Sequence, residues 1–142
     1  MKIYVDTSFL VSLYSLDANS APAARLMRSS RAERFLTAFG ELELFNALGL
    51  RVFRGEVSAD QAKASLKDFA SDLRDGIFRL RALTDSVFER ALRLSRQTTP
   101  RLGTRSADVL HVAAALEFDA DYLYSFDERQ RKLARAVRLK LN

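Results

Sequence analysis

The chain of 142 residues has no cysteine, a single histidine, two prolines and five glycines. Without cysteine it carries no disulfide, no thiolate metal ligand, no iron–sulfur cluster and no cysteine nucleophile, which fits a reducing compartment. One histidine rules out the histidine pair that acid–base cleavage of RNA requires. A glycine-rich phosphate loop, a G-x-S-x-G elbow and an H-E-x-x-H motif are also missing. The longest apolar stretch, Val109 to Phe118, contains His111 and Glu117; it falls short of the about 20 apolar residues that span a bilayer, so no membrane association is expected. Asp6 cuts the N-terminal run KIYVD well below the length of a signal-peptide core, so no export is expected and the cytoplasm is the expected compartment. No repeat, low-complexity tract or linker divides the chain, and residues 1–142 are expected to form one domain. A domain of this size buries roughly two thirds of the surface its unfolded chain exposes.

What is present is charge of two kinds. The net charge of +5 is carried mostly by arginine, whose planar fork suits bidentate contact with phosphate. A scattered basic surface also keeps a protein soluble, and net charge alone does not separate the two readings. The contrast with the acids is more telling. Asp6, Glu43, Asp108 and Asp127 interrupt or end apolar segments, as in KIYVD, ELELFNAL and SADVLHVAAAL. A carboxylate is costly to bury unless its charge is compensated, and a divalent metal is one compensator.

Periodicity gives alternating strands and helices. Lys2 to Val5 reads as a buried strand, followed by a helix capped at Asp6-Thr7-Ser8. A helix over about Ala21–Arg31, a strand over Arg34–Thr37 and a helix over about Glu41–Arg54, ended by Gly55, come next. Ser58 to Gln61 has the form of a capping box opening a helix to about Arg74, and Asp75-Gly76 is a turn. Then follow a strand over Ile77–Leu80, a helix from Thr84 to about Arg96, and a loop over Thr98–Gly103 around Pro100. A helix over about Arg105–Phe118, a strand over Tyr122–Phe126, a basic helix over Glu128–Ala136 and a strand over Val137–Leu141 complete the chain. This pattern predicts an α/β fold with a central, mostly parallel sheet of about five strands flanked by helices. Asp6 and Asp127 then stand at the carboxyl ends of strands, where open α/β sheets bind ligands.

Each acid also has a purely structural reading. Asp6 is a favoured helix N-cap, and Asp127-Glu128-Arg129-Gln130 has the form of a capping box. Glu43 is surrounded by Leu42, Leu44, Phe45, Ala47 and Leu48, with Asn46 its one polar neighbour on the same stripe. Asp108 lies one turn before His111 in a helix that is apolar nearly all round, as buried helices are. A single histidine in such a helix is more often a hydrogen-bonded core residue than a ligand or base.

Four segments together, YVDTSFLVSLY, ELELFNAL, RSADVLHVAAAL and SFDERQRKLA, resemble the PIN-domain ribonucleases, and within them the VapC-type toxins of prokaryotic toxin–antitoxin pairs. The resemblance runs essentially end to end. It implies that Asp6, Glu43, Asp108 and Asp127 form an acidic cluster holding Mg²⁺ or Mn²⁺, with Asp127 contributing a ligand, often through water, or positioning the nucleophile. Ser8 and Asn46 match supporting positions, and Ser125 stands where the pattern usually has threonine, so the hydroxyl is kept. The resemblance also implies a homodimer, and a small antitoxin covering the active-site groove.

The chemistry so implied is hydrolysis of RNA phosphodiester bonds by a metal-activated water, leaving a 5′-phosphate and a 3′-hydroxyl. Candidate RNA-binding residues are Arg51, Arg54, Arg105, Arg129 and Arg131. A receiver-type phosphoacceptor domain is disfavoured because Val5, not an acid, precedes Asp6, and a haloacid-dehalogenase-like phosphatase because Ser8 stands where its second aspartate belongs. The remaining alternative is a catalytically inactive PIN-like module that binds RNA or protein.

Overall fold

The computed structural model describes all 142 residues. Five strands, β1 (Lys2–Val5), β2 (Glu33–Thr37), β3 (Arg79–Arg81), β4 (Tyr122–Tyr124) and β5 (Lys140–Leu141), form one sheet of order β3-β2-β1-β4-β5. Every neighbouring pair is parallel. Parallel strands need crossovers, and seven helices supply them: α1 (Thr7–Tyr14), α2 (Ser20–Ser29), α3 (Ala38–Phe53), α4 (Ala59–Arg74), α5 (Asp85–Leu102), α6 (Ser106–Glu117) and α7 (Glu128–Ala136). None is long and apolar enough to cross a membrane.

Strand alternation divides the core between the two faces. Ile3, Val5, Leu36 and Tyr124 pack with Phe9, Leu10, Leu44, Leu48 and Phe69 of α1, α3 and α4. Tyr4, Phe35 and Leu123 point the other way, against Val87, Val112, Ala113 and Leu133 of α5, α6 and α7. Because both faces are covered, the central strands read as continuous apolar runs. Starting from β1, the chain winds outward through β2 and β3, then returns to the far side of β1 for β4 and β5. The order therefore reverses between β1 and β4. The carboxyl ends of these two strands deliver Asp6 and Ser125 to the switch point, where the Asp6 backbone N–H bonds the Tyr124 carbonyl at 3.1 Å.

Several boundaries differ from the sequence expectations for local physical reasons. The expected loop over Thr98–Gly103 is the end of α5, which continues through Pro100 to Leu102. Proline removes one donor near the helix end, but Leu102 packs on the core. Gly103 at φ 63° then closes the helix with its N–H on the Thr99 carbonyl at 2.8 Å. Helix α3 begins at Ala38 rather than Glu41, because Thr37 caps it by accepting from the Gly40 N–H. The last strand keeps only Lys140 and Leu141. The preceding residues close α7, with Arg138 in the left-handed region and the Leu139 N–H on the Ala134 carbonyl. Nor is α3 buried all round: Leu42, Phe45 and Phe53 are exposed, leaving an apolar outer face.

Gly103 sets the direction in which the chain leaves α5 for α6, the helix that carries Asp108. A side chain at its positive φ is strained, so Gly103→Ala is expected to lower stability by about 1–2 kcal/mol, read as a lower urea midpoint with an unchanged slope.

Candidate active site

Asp6 is the buried centre of the site, 2% exposed. As the N-cap of α1 its Oδ1 accepts from the Phe9 N–H at 2.9 Å, which is the structural role the sequence allowed. That role uses a small part of its bonding. Ser8 Oγ lies 2.8 Å from Oδ1 and 2.9 Å from Oδ2. Ser125 Oγ donates to Oδ2 at 2.7 Å and Gln130 Nε2 at 2.9 Å. Burial nonetheless pushes the Asp6 carboxyl above the ordinary carboxylate range, against the pull of His111, Ser125, Phe9 and Ser8. Its charge is under-compensated by neutral donors.

Glu43 comes from the second turn of α3, and its carboxylate is partly exposed. Its Oε1 accepts from Thr7 Oγ1 at 2.7 Å and forms a short hydrogen bond with His111 Nε2. Burial acts to raise its pKa, but the His111 hydrogen bond, the His111 charge interaction and Thr7 together hold it below the ordinary glutamate range. Glu43 is thus an ionised acceptor. Asp108, one turn before His111 in α6, is buried and accepts from the Arg105 N–H at 3.0 Å through Oδ2. Asp127 caps α7, where its Oδ1 accepts from the Gln130 N–H at 3.0 Å and its own N–H donates to Ser125 Oγ at 3.1 Å.

The four acids are therefore linked through intermediaries rather than directly. Ser125 and Gln130 each bond both Asp6 and the Asp127 residue. Thr7, next to Asp6 in sequence, reaches Glu43, and His111 joins Glu43 to the helix of Asp108. Glu43, Asp108 and Asp127 each use one carboxylate oxygen on a protein donor and leave the other without one. Free carboxylate oxygens beside a buried, under-compensated Asp6 are hard donors of the kind Mg²⁺ and Mn²⁺ take, so the residues fit a divalent cation chemically. No three of these groups stand at a spacing that would enclose an ion.

Of the expected supporting residues, Ser8 and Ser125 bond Asp6 directly, whereas Asn46 is exposed and its side chain makes no hydrogen bond with the protein. The candidate arginines divide similarly. Arg51 is committed to Ser15 Oγ at 2.7 Å and Asp17 at 3.3 Å, and Arg131 to the Ser125 carbonyl at 2.8 Å and Asn142 at 3.1 Å. Both guanidinium groups are structural braces. Arg54, Arg105 and Arg129 are exposed and lie outside the ion pairs. Two residues were not foreseen in these roles. Gln130 looked like the partner in a capping box, yet its amide reaches Asp6 instead. His111 is the hydrogen-bonded core histidine expected, but one of its partners is Glu43. A surface depression of about 660 Å³ beside β3, whose lining includes Leu73, Arg74 and Arg79, lies apart from the acids.

The PIN domain family model matches residues 3–136. No curated protein matches the sequence closely enough to count as a relative. Among solved structures, the chain is similar to the VapC20 toxin of Mycobacterium tuberculosis, described as cleaving the sarcin–ricin loop, with TM-score 0.71 and 21% identity over 92% of this chain and 93% of that one. It is also similar to VapBC2 from Rickettsia felis bound to a promoter DNA fragment, with TM-score 0.68 and 14% identity over 100% of this chain and 98% of that one. FitAcB from Neisseria gonorrhoeae gives TM-score 0.68 and 16% identity over 98% and 95%. At these identities the likeness shows a shared fold.

The raised Asp6 pKa gives a pH prediction. A folded-state value above the ordinary 3.8 means a contribution to stability present below that value and lost as pH rises through the folded one. Ionised Asp6 therefore costs stability near neutral pH. In Asp6→Asn the serine hydroxyls and the Gln130 amide can reorient to satisfy the new group. The variant is expected to melt above the wild type in EDTA at neutral pH, by roughly 3–5 °C per kcal/mol relieved, with the gap closing on acidification. Equal melting at neutral pH would mean that the donors already offset the charge.

Proposed function

The chain belongs to the PIN domain family, and from that premise we propose that it is a Mg²⁺- or Mn²⁺-dependent endoribonuclease, the toxin of a type II toxin–antitoxin module, acting as a single nuclease domain over residues 1–142 in the cytoplasm. The observation that supports this reading most is the hydrogen-bonded chain of acids at the switch point: Asp6 buried at its centre, and three further carboxylates each keeping an oxygen without a protein donor.

Asp6, Glu43 and Asp108 would hold the cation, with Asp127 contributing a further ligand, often through water, or positioning the nucleophile. A bound divalent ion supplies Lewis-acid stabilisation of the phosphate and a water of lowered pKa. The protein's part is to hold the carboxylates in place. Thr7 and His111 do this for Glu43, the Arg105 N–H for Asp108, and Ser8, Ser125 and Gln130 for Asp6. The exposed Arg54, Arg105 and Arg129 are the candidates for phosphate contact, whose strength falls with salt. Arg51 and Arg131 are better read as braces for the fold.

An antitoxin partner is proposed because one of the structural neighbours, from Klebsiella pneumoniae, is a toxin–antitoxin complex by name. The apolar outer face of α3, with Leu42, Phe45 and Phe53 on the helix that carries Glu43, gives such a partner apolar surface near the site. A second copy of the chain is the other expected partner, and Phe88 and Leu92 on α5 form a separate exposed apolar pair.

One observation favours the alternative of a binding module without turnover: no three acids stand at ion-holding spacing. The two readings separate on a single experiment. Purified protein with Mn²⁺ or Mg²⁺ is expected to cut a mixed RNA pool, with cutting lost in EDTA and reduced at least 100-fold in folded Asp108→Asn, about 2.7 kcal/mol of transition-state stabilisation. Binding of RNA that persists in EDTA, with no cutting under any metal condition, would establish the binding module instead.

A further inference from the structure

The single histidine is 3% exposed, and its ring lies between Phe39 at 5.4 Å and Tyr4 at 5.8 Å between ring centres. Both ring nitrogens are engaged. Nδ1 is 2.7 Å from the Tyr4 hydroxyl, and Nε2 meets Glu43 Oε1. The Tyr4 hydroxyl is also 3.3 Å from Thr37 Oγ1, which accepts the Gly40 N–H at 3.3 Å. An ionised carboxylate only accepts hydrogen bonds, so the proton at the His111–Glu43 contact belongs to Nε2. Working backwards, every group is satisfied when donation runs one way: Gly40 N–H to Thr37 Oγ1, Thr37 to Tyr4, Tyr4 to His111 Nδ1, and His111 Nε2–H to Glu43. Thr7 adds a second donor to the same Oε1 at 2.7 Å, while Oε2 has no protein donor.

We propose that Tyr4 and His111 are positioning residues that fix Glu43 through Oε1 so that Oε2 is presented to a divalent cation, and that they thereby set the cation affinity of the site. The inference rests on the metal-dependent reading above. Its physical basis is the cost of leaving a carboxylate free to rotate: an anchored ligand loses less freedom on binding, and removing the outer hydrogen bond of a ligand commonly weakens metal affinity about 10- to 100-fold. Tyr4 acts one step further back. With its hydroxyl donating to Nδ1, the tautomer that places hydrogen on Nε2 is selected. The same ring sits edge-on to Phe35 at 5.5 Å in the core beneath the site, so the hydroxyl is held by packing.

The test is Mn²⁺ affinity, measured by electron paramagnetic resonance of free Mn²⁺ for wild type, Tyr4→Phe, His111→Leu and His111→Gln, each first shown to be folded by circular dichroism. Tyr4→Phe keeps the ring packing and guards against a failure of the histidine variants to fold. Weaker binding by about 10-fold or more in Tyr4→Phe and His111→Leu, with His111→Gln recovering part of the loss through its amide donor, is the expected result. Equal affinity in all four proteins would overturn the positioning role and leave the metal-dependent reading intact. No binding by the wild type at millimolar Mn²⁺ would instead remove the metal site itself. A second readout needs no metal. As the only histidine, His111 gives a single pair of ring ¹⁵N signals, expected to show the proton on Nε2 and an accepting Nδ1; a proton found on Nδ1 would overturn the proposed direction of donation.

Discussion

A buried carboxylate at the reversal point of the sheet constrains everything around it. Asp6 sits where β1 ends, and the parallel pairing of β1 with β4 fixes Ser125 opposite it. Removing a carboxylate from water costs several kcal/mol, and a hydrogen bond to a charged group returns roughly 1.5–3 kcal/mol. Ser8, Phe9, Ser125 and Gln130 can therefore offset much of the cost, but burial still dominates the Asp6 pKa. This is why residues from α1, the β4 end and α7 converge on one side chain. Remove Asp6 and Gln130, itself buried, loses its reason to point inward.

Glu43 shows the opposite balance. It is only partly buried, and its two donors outweigh the loss of water, so it remains ionised where Asp6 tends toward its proton. Two carboxylates close enough to share the influence of His111 are thus driven apart in proton affinity by their surroundings. That separation suits the proposed cation site. Glu43 lies toward solvent, while Asp6 lies on the protein side.

The layout of the fold was legible because it depends on local signals. The Ser58–Gln61 capping box, the Asp75-Gly76 turn and the Glu128–Ala136 helix stand where their residues indicated, with both hydrogen bonds of the box present. Thr98–Gly103 was not legible as helix, because proline is a local breaker whereas the packing of Leu102 is a long-range fact. The same division holds at the site. The four acids stood out because charge interrupts apolar runs. The partners that hold them did not: Gln130 is 124 residues from Asp6 and His111 is 68 from Glu43, and a local rule had already given Gln130 a different task. The bonds of Arg51 to Ser15 and Asp17 and of Arg131 to Asn142 were equally hidden, because these partners lie outside any local pattern around the arginines.

The arrangement of donors bears on how one scaffold can either turn over RNA or merely bind it. A basic surface with exposed Arg54, Arg105 and Arg129 attracts a polyanion whether or not chemistry follows, because that attraction depends on charge and not on geometry at the ångström scale. Turnover asks more, namely that several carboxylates be ionised and held within about half an ångström of productive positions. In this chain the holding is delegated to hydroxyls of Thr7, Ser8 and Ser125, the Gln130 amide, the His111 ring and the Arg105 backbone N–H. No lysine or arginine side chain is among them, so no fixed ion pair occupies the carboxylates. At Glu43 the imidazole and the Thr7 hydroxyl both meet Oε1, which leaves Oε2 without a protein donor. Leaving that oxygen open is the physical difference between a carboxylate that can recruit a metal ion and a salt bridge that only holds two helices together.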